Sequence, residues 1–254
     1  MNKKLNSNEL PFSNKNKKSL FQVSLLQGLA YGDYYGSVTI EKLKQRGDTG
    51  IGTFDRLNGE LIMLNGDVYR ANGDGSISLV SDEETTPFAV VSFFETDKTK
   101  ILTDIQNFDV LHNELNKIVE QRGKNHFYMI KIDGLFDEMN VRSVYPQNEP
   151  YKPLVTVLQQ GQTFFDHKNI DGTVVGLYCP PYMNSLNAVG WHMHFISKDK
   201  TKGGHVLGLK IANAVLSWCD IDSFELKLPA NQLFSSLDLT VDQSKDIKKI
   251  ETNE

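Results

Sequence analysis

The chain has 254 residues, 39% of them apolar and 23% charged, enough to bury a substantial core in one large domain or two small ones. Its net charge is −5, with acidic and basic residues interspersed, which argues against nucleic acid as the main partner because phosphate binding calls for a basic face. No apolar run reaches the roughly eighteen residues of a membrane span, so no membrane partner is expected.

Residues 1–18 are rich in Asn, Lys and Ser and lack the apolar stretch of a signal peptide. They are expected to be a partly disordered lead into a cytoplasmic protein. Cys179 and Cys219 are the only cysteines, too few for a disulfide framework, and read as small buried hydrophobes in a reducing compartment. Order should begin near Ser19. The spacing of Leu20, Val23, Leu25, Leu26 and Leu29 favours helix over strand. Residues 31–36 read as a turn and residues 40–45 as a short helix. The segment 47–54 is glycine-rich, but it lacks the Gly-Lys-Ser/Thr ending of a phosphate loop and the spacing of a dinucleotide fingerprint. Both nucleotide readings are rejected.

A β-rich run follows. Residues 59–64 form a strand, Asn65-Gly66 a hairpin turn and residues 67–70 the return, with further strands at 76–80 and 87–94. A long helix is expected over 103–122. Thr103-Asp104-Ile105-Gln106 has the capping-box form, Ile105, Phe108, Leu111, Leu115, Ile118 and Val119 make the apolar stripe, and Gly123 ends it. Strands are then expected at 126–132, 141–145, 172–178, 191–196, 205–211 and 224–228. The tail 233–254 is polar, with Leu237, Leu239 and Val241 alternating as a strand would. The expected fold class is α+β, with mixed, largely antiparallel sheets in two β-rich halves and a helix between them. The halves divide as 19–150 and 151–254, or form one continuous domain.

Functionally the richest stretch is Gly190-Trp191-His192-Met193-His194-Phe195-Ile196. On a strand, His192 and His194 share one face while Trp191, Met193 and Phe195 face a core. Residues 197–204 are polar and end in two glycines, so they read as a hairpin loop that returns the chain antiparallel and sets His205 beside the pair. Three neutral imidazoles on one face of a hairpin make a metal site that keeps a position open for water or substrate, suited to zinc and also to Co, Ni, Cu or Fe. The partners of that metal are not legible in the pattern. Arg142 reads as a solvated strand arginine, Glu60 as an outward-facing strand position and Glu251 as one carboxylate of a charged tail.

Gly50-Ile51-Gly52-Thr53-Phe54, Leu57-Asn58-Gly59-Glu60-Leu61, Arg142-Ser143-Val144-Tyr145-Pro146-Gln147 with Pro150-Tyr151, and the histidine hairpin through Gly203-Gly204-His205-Val206 together resemble the alpha-acetolactate decarboxylase family. The resemblance runs from about Leu20 to the C-terminus. It implies zinc-dependent decarboxylation of 2-hydroxy-2-methyl-3-oxobutanoate (alpha-acetolactate) to acetoin and CO2. It places the zinc ligands on His192, His194 and His205, the carboxylate-binding arginine on Arg142, active-site glutamates on Glu60 and Glu251, and a site threonine on Thr53. The chemistry asks for such a set. Loss of CO2 leaves an enediolate, which a metal chelating the keto and hydroxyl oxygens stabilises, and a carboxylic acid then delivers a proton to one face. The assembly is expected to be a homodimer. Two other classes fit a His-x-His strand. One is a cupin-like iron or manganese oxygenase or isomerase, disfavoured because residues 195–204 hold no Glu. The other is a non-enzymatic metal-binding β-protein, which would have a closed site without a cavity.

Overall fold

A computed structural model describes residues 18–241. The first part of the chain runs β1 (Ser19–Val23), α1 (Leu26–Ala30), β2 (Val38–Thr39), α2 (Ile40–Lys44), β3 (Thr49–Thr53), β4 (Glu60–Leu64), β5 (Asp67–Ala71), β6 (Ile77–Leu79), β7 (Thr85–Thr86) and β8 (Ala89–Ser92). It continues through β9 (Lys98–Ile105), α3 (Phe108–Arg122), β10 (Phe127–Val144), α4 (Leu154–Gly161), β11 (Gln162–Cys179), β12 (Gly190–Ser197), β13 (Gly203–Ile221), β14 (Ser223–Lys227) and α5 (Gln232–Ser236). The result is α+β and predominantly antiparallel, as expected.

Two sheets carry the architecture. The first has seven strands in the order β14-β1-β8-β3-β4-β5-β6, and the second has five in the order β10-β11-β12-β13-β9. β10 pairs with β13 as well as β11, so the second ladder runs back on itself. One apolar core lies between the sheets, where Leu20, Ile62 and Val90 meet Met129, Val144 and Leu177. A second core sits under α3, and a third, with Ile40 and Leu43 of α2, covers the far face of the first sheet. Among the described residues no helix is long and apolar enough to cross a membrane.

Several local expectations need correction. The run from Ser19 opens as a strand, not a helix. β1 is paired on both sides, parallel to β14 and antiparallel to β8, and both faces are covered. A strand buried on both faces shows no polar alternation, which is why its apolar run mimicked a helix. The helix expected from Thr103 begins at Phe108. Thr103 and Ile105 lie in β9, bonded in register to Asn213 and Ile211, and Asn107 is the true N-cap, its side chain accepting the Val110 N–H at 2.9 Å. The tail residues Leu237, Leu239 and Val241 do not form a strand. The chain turns there, with Asp238 accepting the Thr240 N–H at 3.0 Å. The segments read as 126–132 and 141–145 are one strand of 18 residues, kept continuous through its polar middle by ladders to β11 and β13, the latter with register shifts between Leu135 and Val141.

The second core depends on α3, which sets Leu111, Leu115 and Ile118 into it. Leu115→Ala removes a fully buried side chain and should destabilise the protein by about 2–5 kcal/mol. Urea unfolding measures this, while activity per folded molecule should stay unchanged.

Candidate active site

The site forms where the two sheets meet. Across the second sheet, Arg142 of β10 lies opposite His205 of β13, and His205 lies opposite His194 of β12. Directly paired residues share a sheet face, so these three side chains form one row, and His192 joins it by strand alternation. The close approach of β13 to β10 requires Gly204 (φ 151°), since a Cβ there would lie 2.5 Å from the Arg142 carbonyl oxygen. From the first sheet comes β4. Its Leu61 and Met63 pack into the outer core, while Ile62 and Leu64 join the core between the sheets. Glu60 shares their face and so points inward at the mouth of the same space. The outward-facing position read from sequence is therefore wrong for Glu60, and the solvated position is wrong for Arg142, which is only 4% exposed.

The three imidazoles converge. His192 Nε2 lies 3.2 Å from His194 Nε2 and 3.0 Å from His205 Nδ1. An ion about 2.0–2.1 Å from each nitrogen in tetrahedral geometry sets nitrogens roughly 3.3 Å apart, close to this spacing. His194 Nδ1 donates to the Leu61 carbonyl oxygen at 2.9 Å. A carbonyl only accepts, so the proton is on Nδ1 and the Nε2 lone pair faces the cluster. Burial, aided by the Arg142 charge, pushes His192 down to about 3. Burial, with His192 and Arg142 adding to it, holds His194 well below the ordinary histidine value despite the Leu61 bond. Both rings are thus neutral at neutral pH, the form that ligates metal. Glu60 Oε2 is 3.6 Å from His194 Nε2. Donor type, tautomer and spacing all fit a divalent transition metal.

Around this cluster lies a cavity of about 50 Å³, lined by Thr53, Glu60, Arg142 and the three histidines together with Leu26, Leu29, Leu57, Phe88, Leu154 and Leu158. That is room for a few water-sized groups, which limits the ligand to a small molecule. Arg142 Nη1 donates to Gln162 Oε1 at 3.1 Å. The Thr53 hydroxyl donates to the Gly59 carbonyl oxygen at 2.7 Å, and Thr53 pairs with Glu60 across β3 and β4. Between them the chain makes a tight connection in which Arg56 (φ 63°) and Leu57 (φ 56°) are both left-handed. That conformation costs a non-glycine residue about 1–2 kcal/mol.

A sequence model of alpha-acetolactate decarboxylase matches residues 20–241. The chain belongs to this family. It is 39% identical over 226 residues to the alpha-acetolactate decarboxylase of Brevibacillus brevis, covering 88% of this chain and 78% of that one. To the alpha-acetolactate decarboxylase of Methanosarcina mazei it is 37% identical over 239 residues, covering 94% of this chain and 82% of that one. The crystal structure of alpha-acetolactate decarboxylase from Bacillus subtilis strain 168 superimposes with a TM-score of 0.89 at 33% identity, covering 92% of this chain and 99% of that chain. As a family member the protein is a carboxy-lyase, and the cupin-like and non-enzymatic alternatives fall away.

Six of the seven expected site residues of this decarboxylase line one cavity. The seventh, Glu251, lies outside the described residues. Sequence reasoning missed the apolar wall from α1 and α4, and it missed Gln162. Leu26 and Leu29 are three apart and Leu154 and Leu158 four apart, the spacing of a helix stripe, but such a stripe signals burial without saying against what.

Proposed function

We propose that the protein converts (S)-2-hydroxy-2-methyl-3-oxobutanoate to acetoin and CO2, with a zinc ion held by His192, His194 and His205. The observation that carries this reading is the convergence of three imidazoles on a cavity also lined by one guanidinium and one carboxylate. An all-imidazole set with an open position suits zinc, and related divalent metals would enter it too. When bound, the metal supplies Lewis acidity to the keto and hydroxyl oxygens of the substrate.

The side chains divide the remaining work. The Arg142 fork binds the carboxylate that leaves as CO2, and Gln162 orients that fork from behind. Glu60 holds a proton at the metal side of the cavity, 3.6 Å from His194, and delivers it to the carbon that CO2 leaves. Delivery from one wall fixes the handedness of the product. The Thr53 hydroxyl is committed to the Gly59 carbonyl, so Thr53 positions the end of β4 that carries Glu60. Leu26, Leu29, Phe88, Leu154 and Leu158 take the substrate methyl groups and exclude water. Glu251 is proposed as a second, mobile carboxylate. In support, Val241, ten residues before Glu251, lies against α1, where Gln27 donates to its carbonyl oxygen at 2.6 Å next in sequence to the cavity residue Leu26.

The test combines metal analysis with an acetoin colour assay on acetolactate. Wild type should carry one divalent metal per chain and produce acetoin. Glu60→Gln and a chain ended after Asp246 should both keep the metal, and each should lose at least roughly tenfold in rate, about 1.4 kcal/mol of barrier. A shortened chain that makes acetoin at the full rate removes Glu251 from the mechanism.

A further inference from the structure

The strained connection between β3 and β4 has a single exposed side chain that reaches the other half of the site. Arg56 Nε donates to the Gln147 carbonyl oxygen at 3.0 Å, and its Nη2 donates to Asn148 Oδ1 at 2.7 Å. The backbone completes the bridge. Gln147 N donates to the Arg56 carbonyl at 2.8 Å, and Arg56 N donates to the Tyr34 carbonyl at 2.9 Å. Gln147 and Asn148 follow β10, the strand that ends just after Arg142. The connection on the other side ends in Glu60 and sets Leu57 into the cavity wall.

We propose that Arg56 is a positioning residue for the decarboxylation, bridging the Glu60 connection to the segment after Arg142 and so setting the distance between proton donor and carboxylate holder. A left-handed arginine followed by a left-handed leucine persists only where the surroundings fix it. Here the fixing contacts come from the Tyr34 carbonyl and, for the side chain, wholly from the segment after Arg142. Glycine at position 56 would relieve the backbone but could not make the side-chain part of the bridge. The inference rests on the roles given to Glu60 and Arg142 above.

Steady-state decarboxylation by the metal-loaded wild type, Arg56→Ala, Asn148→Ala and the double variant tests this, with metal content and melting temperature measured on the same samples. Arg56 is exposed, so its removal leaves the cores intact. Arg56→Ala should lower kcat between roughly tenfold and a hundredfold, as a small misplacement of reacting groups does. KM should change by less than about threefold, because the binding groups are all still present. Asn148→Ala should show a smaller loss, and the double variant should be no slower than Arg56→Ala, since both act through one bridge. Arg56→Lys should recover part of the rate. Additive losses, or a fall in rate matched by loss of metal or by early melting, would assign Arg56 to stability and overturn the proposal. Glu60→Gln run alongside separates the two readings. If it is slow while Arg56→Ala is at full rate, only the Arg56 inference fails. If Glu60→Gln is itself at full rate, the site reading fails and this inference falls with it.

Discussion

His194→Ala should give a folded protein that no longer holds stoichiometric metal and produces acetoin at least roughly a hundredfold more slowly, since losing even an outer partner of a metal ligand costs 10–100-fold. His194 is the histidine most fully enclosed, 1% exposed, and its Nδ1 is fixed by the Leu61 carbonyl. Its Nε2 is thus committed to the cluster, and alanine offers no nitrogen in its place. Replacing His112, His126 or His167 is the control. None of these lines the cavity, so metal content should stay at wild-type level. Metal analysis by atomic emission together with the acetoin assay reads both quantities on one sample. A His194→Ala protein with stoichiometric metal and normal turnover would remove the triad from the mechanism.

The metal triad was legible in sequence because it depends only on local geometry. Strand alternation puts His192 and His194 on one face whatever the sheet does, and the short polar turn between Ser197 and Gly203 returns the chain beside them, Gly203 and Gly204 already lying in the ladder. In the ladder that follows the turn, His194 stands opposite His205. Arg142 was different. Its place opposite His205 is a long-range pairing between β10 and β13, and nothing near residue 142 announces it. A strand arginine is usually solvated, and this one is buried because two sheets close over it. Glu60 is a similar case, since its inward direction is set by which face of β4 meets the second sheet. Only the resemblance of the surrounding segments supplied these two residues.

The misplaced helix start shows the same limit from the other side. Thr103 to Gln106 has the local chemistry of a cap, and so does Asn107. The β9 ladder to β13 decides between them by satisfying the backbone of Thr103 and Ile105 in a sheet. Local capping energy of about 1 kcal/mol does not outweigh a run of ladder bonds plus burial of Ile105. The left-handed pair Arg56-Leu57 was invisible for a related reason. No sequence rule would put leucine there, and the contacts that hold the pair come from residues distant in sequence, Tyr34, Gln147 and Asn148. Positions where local rules fail are expected at functional sites, and this one carries Glu60.

Arg142→Lys should lower kcat/KM well beyond tenfold, more than about 1.4 kcal/mol of transition-state stabilisation, with metal content unchanged. The charge is preserved, so the loss isolates the geometry. Arg142 presents a planar fork, and one arm already donates to Gln162. A planar fork meets a carboxylate with parallel donors, which a lysine ammonium cannot do. Lysine is also shorter in effective reach and more strongly hydrated, so it would sit poorly beside His205 in a site that is 96% closed at this residue, Arg142 being 4% exposed. KM should rise because the substrate carboxylate is held less well. The rate constant should fall as well, because the bond to CO2 breaks efficiently only when the carboxylate is held out of line with the neighbouring oxygens. Arg142→Ala should lose more than Arg142→Lys in kcat/KM, and the difference measures what charge alone contributes. Steady-state kinetics on acetolactate with metal analysis of both variants gives the comparison. Near-normal kcat/KM in Arg142→Lys would show that the arginine serves only to fill the space between the sheets.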